Sequence, residues 1–161
     1  MKTPTATRRY PGAKPFTTEE QDIFFGRRED LRRLYERIQL EPLVVLYGKS
    51  GLGKSSIINA GILPEVEKAS QLSSFSIRFG AYTEGKTESP LVLSLESIRS
   101  AAPDPLLRQL LPEDDSLWRQ LKTRQAARPG QTSGFLLVFD QFEELFTYPL
   151  AQVEEFAGQL A

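Results

Sequence analysis

The sequence contains no cysteine and no histidine. These absences exclude disulfides, thiolate nucleophiles, Cys/His zinc sites and imidazole general bases. Acid–base chemistry must then fall to carboxylates, lysine, tyrosine or bound water. Long apolar runs are also missing. The longest, Leu43–Tyr47 and Phe135–Phe139, are five residues each, against the roughly 20 a membrane-spanning helix needs. The N-terminus has basic residues but no apolar core of a signal peptide, so a cytoplasmic location is expected. There is no excess of either charge, with 20 Lys plus Arg against 21 Asp plus Glu and a net charge of −1. That balance argues against a general nucleic-acid coat protein and against a membrane-surface binder. Internal repeats and low-complexity segments are absent too. What remains is 161 residues, the length of one domain. Such a chain buries roughly 70% of its unfolded surface and needs no staples.

Residues 1–15 are rich in Thr, Pro, Arg and Lys and read as an extended lead-in. Thr17 followed by Glu20 fits a capping box that opens a short helix over Thr17–Asp22. Phe24-Phe25-Gly26-Arg27 makes a turn. Glu29 and Asp30 then suit the start of a second helix, where carboxylates meet the positive end of the dipole. Leu31, Leu34, Tyr35 and Ile38 share one face of that helix, and Arg32, Arg33 and Arg37 face water. Pro42 ends it. The continuously apolar Leu43–Tyr47 predicts a strand covered on both faces, as in a parallel sheet. A helix is expected from about Lys54 to Ile62, closed by Pro64. Phe75, Ile77, Phe79 and Ala81 alternate with polar or small residues and predict a strand. Helices are expected over Pro90–Arg99, Leu117–Ala127 and Val153–Leu160, with a short one within 101–116. A turn is expected at Pro129–Gln131, and a second fully apolar strand at Phe135–Phe139. Trp118 reads as core or interface, and Tyr82 with Arg78 gives no readable site. Strands alternating with helices make the fold class α/β with a parallel sheet.

The sharpest chemical signal is Gly48-Lys49-Ser50-Gly51-Leu52-Gly53-Lys54-Ser55, which fits GxxxxGK[ST] at every fixed position. An apolar segment precedes it and a helical pattern follows. A backbone that wraps a phosphate must come close and turn its N–H groups inward. Gly48, Gly51 and Gly53 permit this because they lack a Cβ. The anion then lies at a helix N-terminus. Lys54 would reach the β- and γ-phosphates and Ser55 would offer its hydroxyl to Mg2+. The second signal is Leu136-Leu137-Val138-Phe139-Asp140, an apolar strand ending in a carboxylate suited to the Mg2+ shell. Glu143 and Glu144 follow closely. Either carboxylate could orient or deprotonate an attacking water, with Glu143 ahead of Glu144, or both could be solvated acids opening a helix. Phe24 and Phe25 could wall an adenine pocket with Arg27 near the nucleotide, or could form a packed turn.

Four segments in order carry a resemblance: YPGAKPF (Tyr10–Phe16), FFGRRED (Phe24–Asp30), YGKSGLGKSSIINAGILPEV (Tyr47–Val66) and LLVFDQFEELF (Leu136–Phe146). Together they resemble the novel STAND NTPases, a branch of the AAA-like P-loop NTPases. The resemblance covers about residues 10–150. It implies a P-loop NTPase-type parallel sheet flanked by helices. It also implies a nucleotide-operated switch coupled to sensor repeats and an effector, often in defence or regulated cell death. Carried over by position, Gly48, Lys49, Ser50, Gly51, Leu52, Gly53, Lys54 and Ser55 form the Walker A loop, with Ser56 beside it. Asp140 is the Walker B metal residue, and Glu143 or Glu144 lies near the hydrolytic water. Phe25, Gly26 and Arg27 match the segment that approaches the adenine. The expected ligands are ATP or ADP with Mg2+, ATP being favoured over GTP by the resemblance alone.

The chain departs from the family pattern by ending twenty-one residues after Asp140. Sensor strand, arginine finger, lid and repeats are not in it. The expectation is therefore the N-terminal part of a STAND-type domain over residues 16–161, incomplete at the C-terminus, with self-association or further domains of a longer parent as partners. Neither membrane nor direct nucleic-acid binding is expected. Hydrolysis is expected to be slow or absent, since an arginine finger is worth roughly 10³–10⁵ in rate. Arg99, Arg108, Arg119, Arg124 and Arg128 are candidate fingers in trans, none singled out. Two rival readings stand beside this one: a nucleotide-binding interaction module without turnover, and a small-molecule P-loop kinase.

Overall fold

Backbone hydrogen bonding at Thr17 opens the first helix. Its N–H donates to the Glu20 carboxylate (2.9 Å), and the Glu20 N–H donates back to Thr17 O (3.1 Å). This pairing satisfies donors that a helix start leaves open, and a 3-10 helix follows over Thr18–Ile23. The computed structural model describes residues 14–69, 72–100, 116–127 and 134–160. The expected short helix of 101–115, the turn of 129–131 and residues 1–13 of the lead-in lie outside the described residues. The chain divides into two compact units, Met1–Ala69 and Ser70–Ala161.

In the first unit, α1 (Arg28–Leu40) opens on Glu29 and Asp30. Its end is capped by the Glu41 N–H donating to Arg37 O (2.8 Å). Leu31, Leu34, Tyr35 and Ile38 are half-buried on one side, and Arg32, Arg33 and Arg37 are exposed. Arg32 and Arg33 both grip Glu29, at 2.9 and 2.8 Å. These guanidinium hydrogen bonds hold the Glu29 carboxyl at about 2, below its ordinary 4.5, and they raise Arg32 in turn.

A second helical run starts as α2 (Lys54–Ile57), widens to a π-turn over Ile58–Ile62 and resumes as α3 (Leu63–Ala69). Sequence reading ended this helix at Pro64. Instead, the Leu63 N–H reaches Ile58 O. The wider turn accommodates a proline that has no N–H and whose ring would press on the carbonyl four residues back, so the helix passes through. Ile57, Ala60, Ile62 and Val66 are buried. Phe16 is tied in by its N–H to Ser56 Oγ (3.1 Å) and by its ring against Phe24 (5.4 Å).

Leu43–Tyr47 does not form the predicted strand. It carries no ladder, and Leu43, Val45 and Tyr47 are 79%, 73% and 87% exposed. Five apolar residues are not a strand without a neighbouring extended segment, and among the described residues of its own unit there is none.

The second unit is a parallel pair, β1 (Leu72–Arg78) and β2 (Gly134–Asp140), in register from Leu72↔Gly134 to Arg78↔Asp140. A parallel pair needs a long crossover. Here it includes α4 (Pro90–Ser100) and α5 (Leu117–Ala127). The alternation in β1 puts Phe75 and Ile77 inward and Ser76 and Arg78 outward, with Phe79 continuing the inward set. They meet Leu91, Leu95 and Ile98 of α4, Leu117 of α5, Leu145, and Phe156 of α6 (Leu150–Gly158) in one core. Phe79 is fully buried and stacks on Phe139 at 5.8 Å, with the Phe156 ring edge-on to both at 5.6 and 5.5 Å. Burying one such ring stabilises by about 1.5–3 kcal/mol. β2 is half-buried along its whole length rather than fully covered. Trp118 is 64% exposed, so it is not core: the inward positions of α5 go to Leu117 and Gln120.

Candidate functional site

The loop between Tyr47 and α2 is built around left-handed glycines. Gly51 has φ 82° and Gly53 has φ 75°, a region costly for residues with a Cβ. Gly53 O accepts the Ile57 N–H (2.9 Å) and so closes the first helical turn. The leading N–H groups of a helix have no partner within it and favour an anion at that end. Lys54 folds back over the loop. Its ammonium donates to Gly48 O (2.8 Å) and Lys49 O (3.3 Å). A flexible amine held by two loop carbonyls sits where it can exchange them for an anion's oxygens. Ser55 is half-buried at the helix start, and Leu52 is 58% exposed at the loop tip. Lys49 and Ser50 are exposed. Ser56 is buried, with its hydroxyl engaged by Phe16.

The upstream turn reaches this loop. Gly26 has φ 83°, and the chain then presents Arg27 at the start of α1. Its guanidinium donates to Leu52 O (3.1 Å) while Asp30 holds its Nε (2.5 Å). Thus Arg27 and the Gly-rich loop, 25 residues apart in sequence, are joined directly. Phe25 is 79% exposed, and its neighbour Phe24 is the ring that packs. A groove of about 450 Å3 runs from the loop between α1 and the Leu43–Tyr47 segment. Arg27, Leu34 and Arg37 form one wall, Val44 and Leu46 the other, and Gly48 and Lys54 the end. Its lining mixes apolar side chains with the cations Arg27, Arg33, Arg37 and Lys54 and the carboxylates Asp30 and Glu41, and its size lies in the range of small-ligand pockets. Arg33 and Arg37, exposed as the helical period predicts, also line this groove. The helical period alone does not reveal what faces α1 across a turn.

Asp140 ends β2 in the second unit, where its backbone carbonyl accepts the Phe79 N–H (3.1 Å). Gln141 follows with φ 56°, the one left-handed non-glycine among the described residues. A 3-10 turn then runs over Phe142–Thr147. It is fixed by the Glu144 N–H to Gln141 O (2.9 Å), by Thr147 Oγ1 to Glu144 O (2.7 Å) and by the Tyr82 N–H to Thr147 Oγ1 (2.9 Å). Glu143 is exposed and Glu144 half-buried. Burial raises the phenol of nearby Tyr148 above its ordinary value. Of the candidate fingers, Arg124 is engaged inside this unit, donating to Ile98 O and lying 5.2 Å over the Phe75 ring. Arg108 and Arg128 lie outside the described residues.

Among the described residues no group of three or more acidic side chains is gathered to hold a metal alone. A hydroxyl at Ser55 and a carboxylate at Asp140 are hard oxygen donors. Each is a donor type that suits Mg2+, an ion that takes one or two protein ligands and completes its shell with phosphate and water. No helix among the described residues is long and apolar enough to cross a membrane.

Comparison with curated proteins and with solved structures gives no match. The family model Novel STAND NTPase 1 matches residues 10–161, a span that includes the glycine loop, the Arg27 turn and the Asp140–Glu144 segment. The chain therefore belongs to the Novel STAND NTPase 1 family, and it is a nucleotide-binding NTPase module.

Proposed function

We propose that this module binds Mg-ATP through the Gly48–Ser55 loop and serves as the nucleotide switch of a cytoplasmic signalling or defence protein. The observation that supports it most is the Lys54 ammonium drawn into a loop shaped by left-handed Gly51 and Gly53. Lys54 and the loop N–H groups would hold the β- and γ-phosphates. Arg27 and the adjoining groove would take the nucleoside, with Gly26 giving the turn its direction and the exposed Phe25 offered to the adenine as the family pattern implies. By the family pattern, Ser55 of the first unit and Asp140 of the second are each proposed as a ligand of Mg2+, which when bound neutralises charge on the phosphate oxygens. Glu143 or Glu144 would orient the attacking water. Self-association would bring a neighbour's arginine to the transferring phosphoryl group, and turnover without it is slow.

The rival without turnover is separated by phosphate release under Mg-ATP excess. Slow release that Glu143→Gln or Glu144→Gln abolishes, with nucleotide still bound, supports the hydrolytic switch. Tight binding with no release above the Lys54→Ala background leaves a nucleotide-held interaction module.

A further inference from the structure

Arg78 is the last residue of β1, and its register partner is Asp140. Its Nε donates to Gln141 Oε1 at 2.7 Å, across 63 residues of sequence. Gln141 is the residue held at φ 56°, a conformation that side-chain-bearing residues adopt rarely unless their surroundings hold them there. The same residue supplies the carbonyl that fixes the Glu144 N–H. A single guanidinium contact thus pins the residue that links the carboxylate of Asp140 to those of Glu143 and Glu144. Arg78 is exposed, so its place is not dictated by the core. A fork-shaped donor suits this role better than an ammonium, because its geometry is rigid about Nε.

We infer that Arg78 is a positioning residue, which clamps Gln141 in its left-handed conformation and so sets where the metal carboxylate and the water-orienting carboxylate stand relative to each other. The inference rests on the reading of Asp140–Glu144 as the metal and water segment. It assigns Arg78 no contact with nucleotide.

The test uses the whole chain as wild type, Arg78→Ala, Arg78→Lys and the double variant Arg78→Ala with Gln141→Gly. Two readouts are taken: hydrogen exchange at the Glu144 amide, and phosphate release resolved into kcat and KM. Arg78→Ala should speed Glu144 exchange and lower kcat on the order of 10²-fold while KM stays nearly constant, since misplacing a reacting group by about 1 Å has that effect. Arg78→Lys should lie close to Arg78→Ala. Glycine at position 141 takes the positive φ without strain, so the double variant should regain much of the lost turnover. Turnover lost in Arg78→Ala and not regained in the double variant overturns the inference, because Arg78 would then act on the nucleotide itself. Unchanged Glu144 exchange in Arg78→Ala overturns it whatever the turnover does. A wild-type chain that binds nucleotide without releasing phosphate overturns the hydrolytic reading instead, and leaves the clamp to be judged on exchange alone.

Discussion

Gly61 sits where α1 crosses the helical run that follows the glycine loop. A Cβ built there would lie 2.1 Å from Leu31 Cδ2, 3.1 Å from its Cγ and 3.2 Å from its Cδ1. Rotation about Leu31 χ2 moves both Cδ atoms but leaves Cγ at 3.1 Å, a contact relieved only if Leu31 or α1 also gives by a few tenths of an ångström. Overpacking of this kind destabilises by about 1–3 kcal/mol. Against it stands the gain of replacing glycine by alanine inside a helix, about 1 kcal/mol. Gly61→Ala should therefore destabilise the wild type by about 0–2 kcal/mol net. In a Leu31→Ala background the clash is gone and only the propensity gain remains. The same substitution should then stabilise by about 1 kcal/mol, which is a shift of roughly 2–4 °C for a chain of this size. Urea unfolding of the four proteins in this double-mutant cycle measures the coupling. Because α1 carries Arg27 to Leu52 O, Gly61→Ala should also weaken nucleotide binding more than its stability change explains. An effect of Gly61→Ala that is equal in sign and size in both backgrounds would refute the packing argument.

Two further outcomes are expected. Glu29 should titrate at about 2 rather than 4.5, read from its side-chain carboxyl signal in NMR. The contribution of its arginine contacts is then fully present above 4.5 and fades as pH falls through about 2; an observed midpoint near 4.5 would mean Arg32 and Arg33 do not hold it. Phe79→Ala should destabilise the chain by about 3–5 kcal/mol in urea unfolding, as removal of a fully buried ring does. A loss within about 0.5 kcal/mol, the range of surface substitutions, would remove Phe79 from the core.

Local chemistry was legible in the sequence where a few adjacent residues decide the outcome. Thr17 with Glu20, the Glu29–Asp30 helix start, the β1 alternation and the glycine loop all depend on near neighbours, and all stand in the structure. The expectation at Leu43–Tyr47 differed because strand formation needs a partner that the segment itself does not contain. Pro64 misled because a π-turn absorbs the proline, and nothing in a breaker rule anticipates that. The site followed the same division. Residue type and spacing marked the glycine loop and the acidic turn as candidates. The Arg27–Leu52 contact was only half legible, and Arg78–Gln141 was not legible at all, because each depends on where distant segments meet.

The central claim is that the Gly48–Ser55 loop is a phosphate cradle completed by Lys54. Thermal unfolding of the chain and of Lys54→Ala with Mg-ATP, Mg-ADP and Mg-GTP tests it most directly. Nucleotide at about 100 times its dissociation constant should add roughly 2.7 kcal/mol of stability to the wild type. The account predicts that gain with adenine nucleotides and its loss in a folded Lys54→Ala. An equal gain in both proteins, or no gain in a folded wild type, would contradict it.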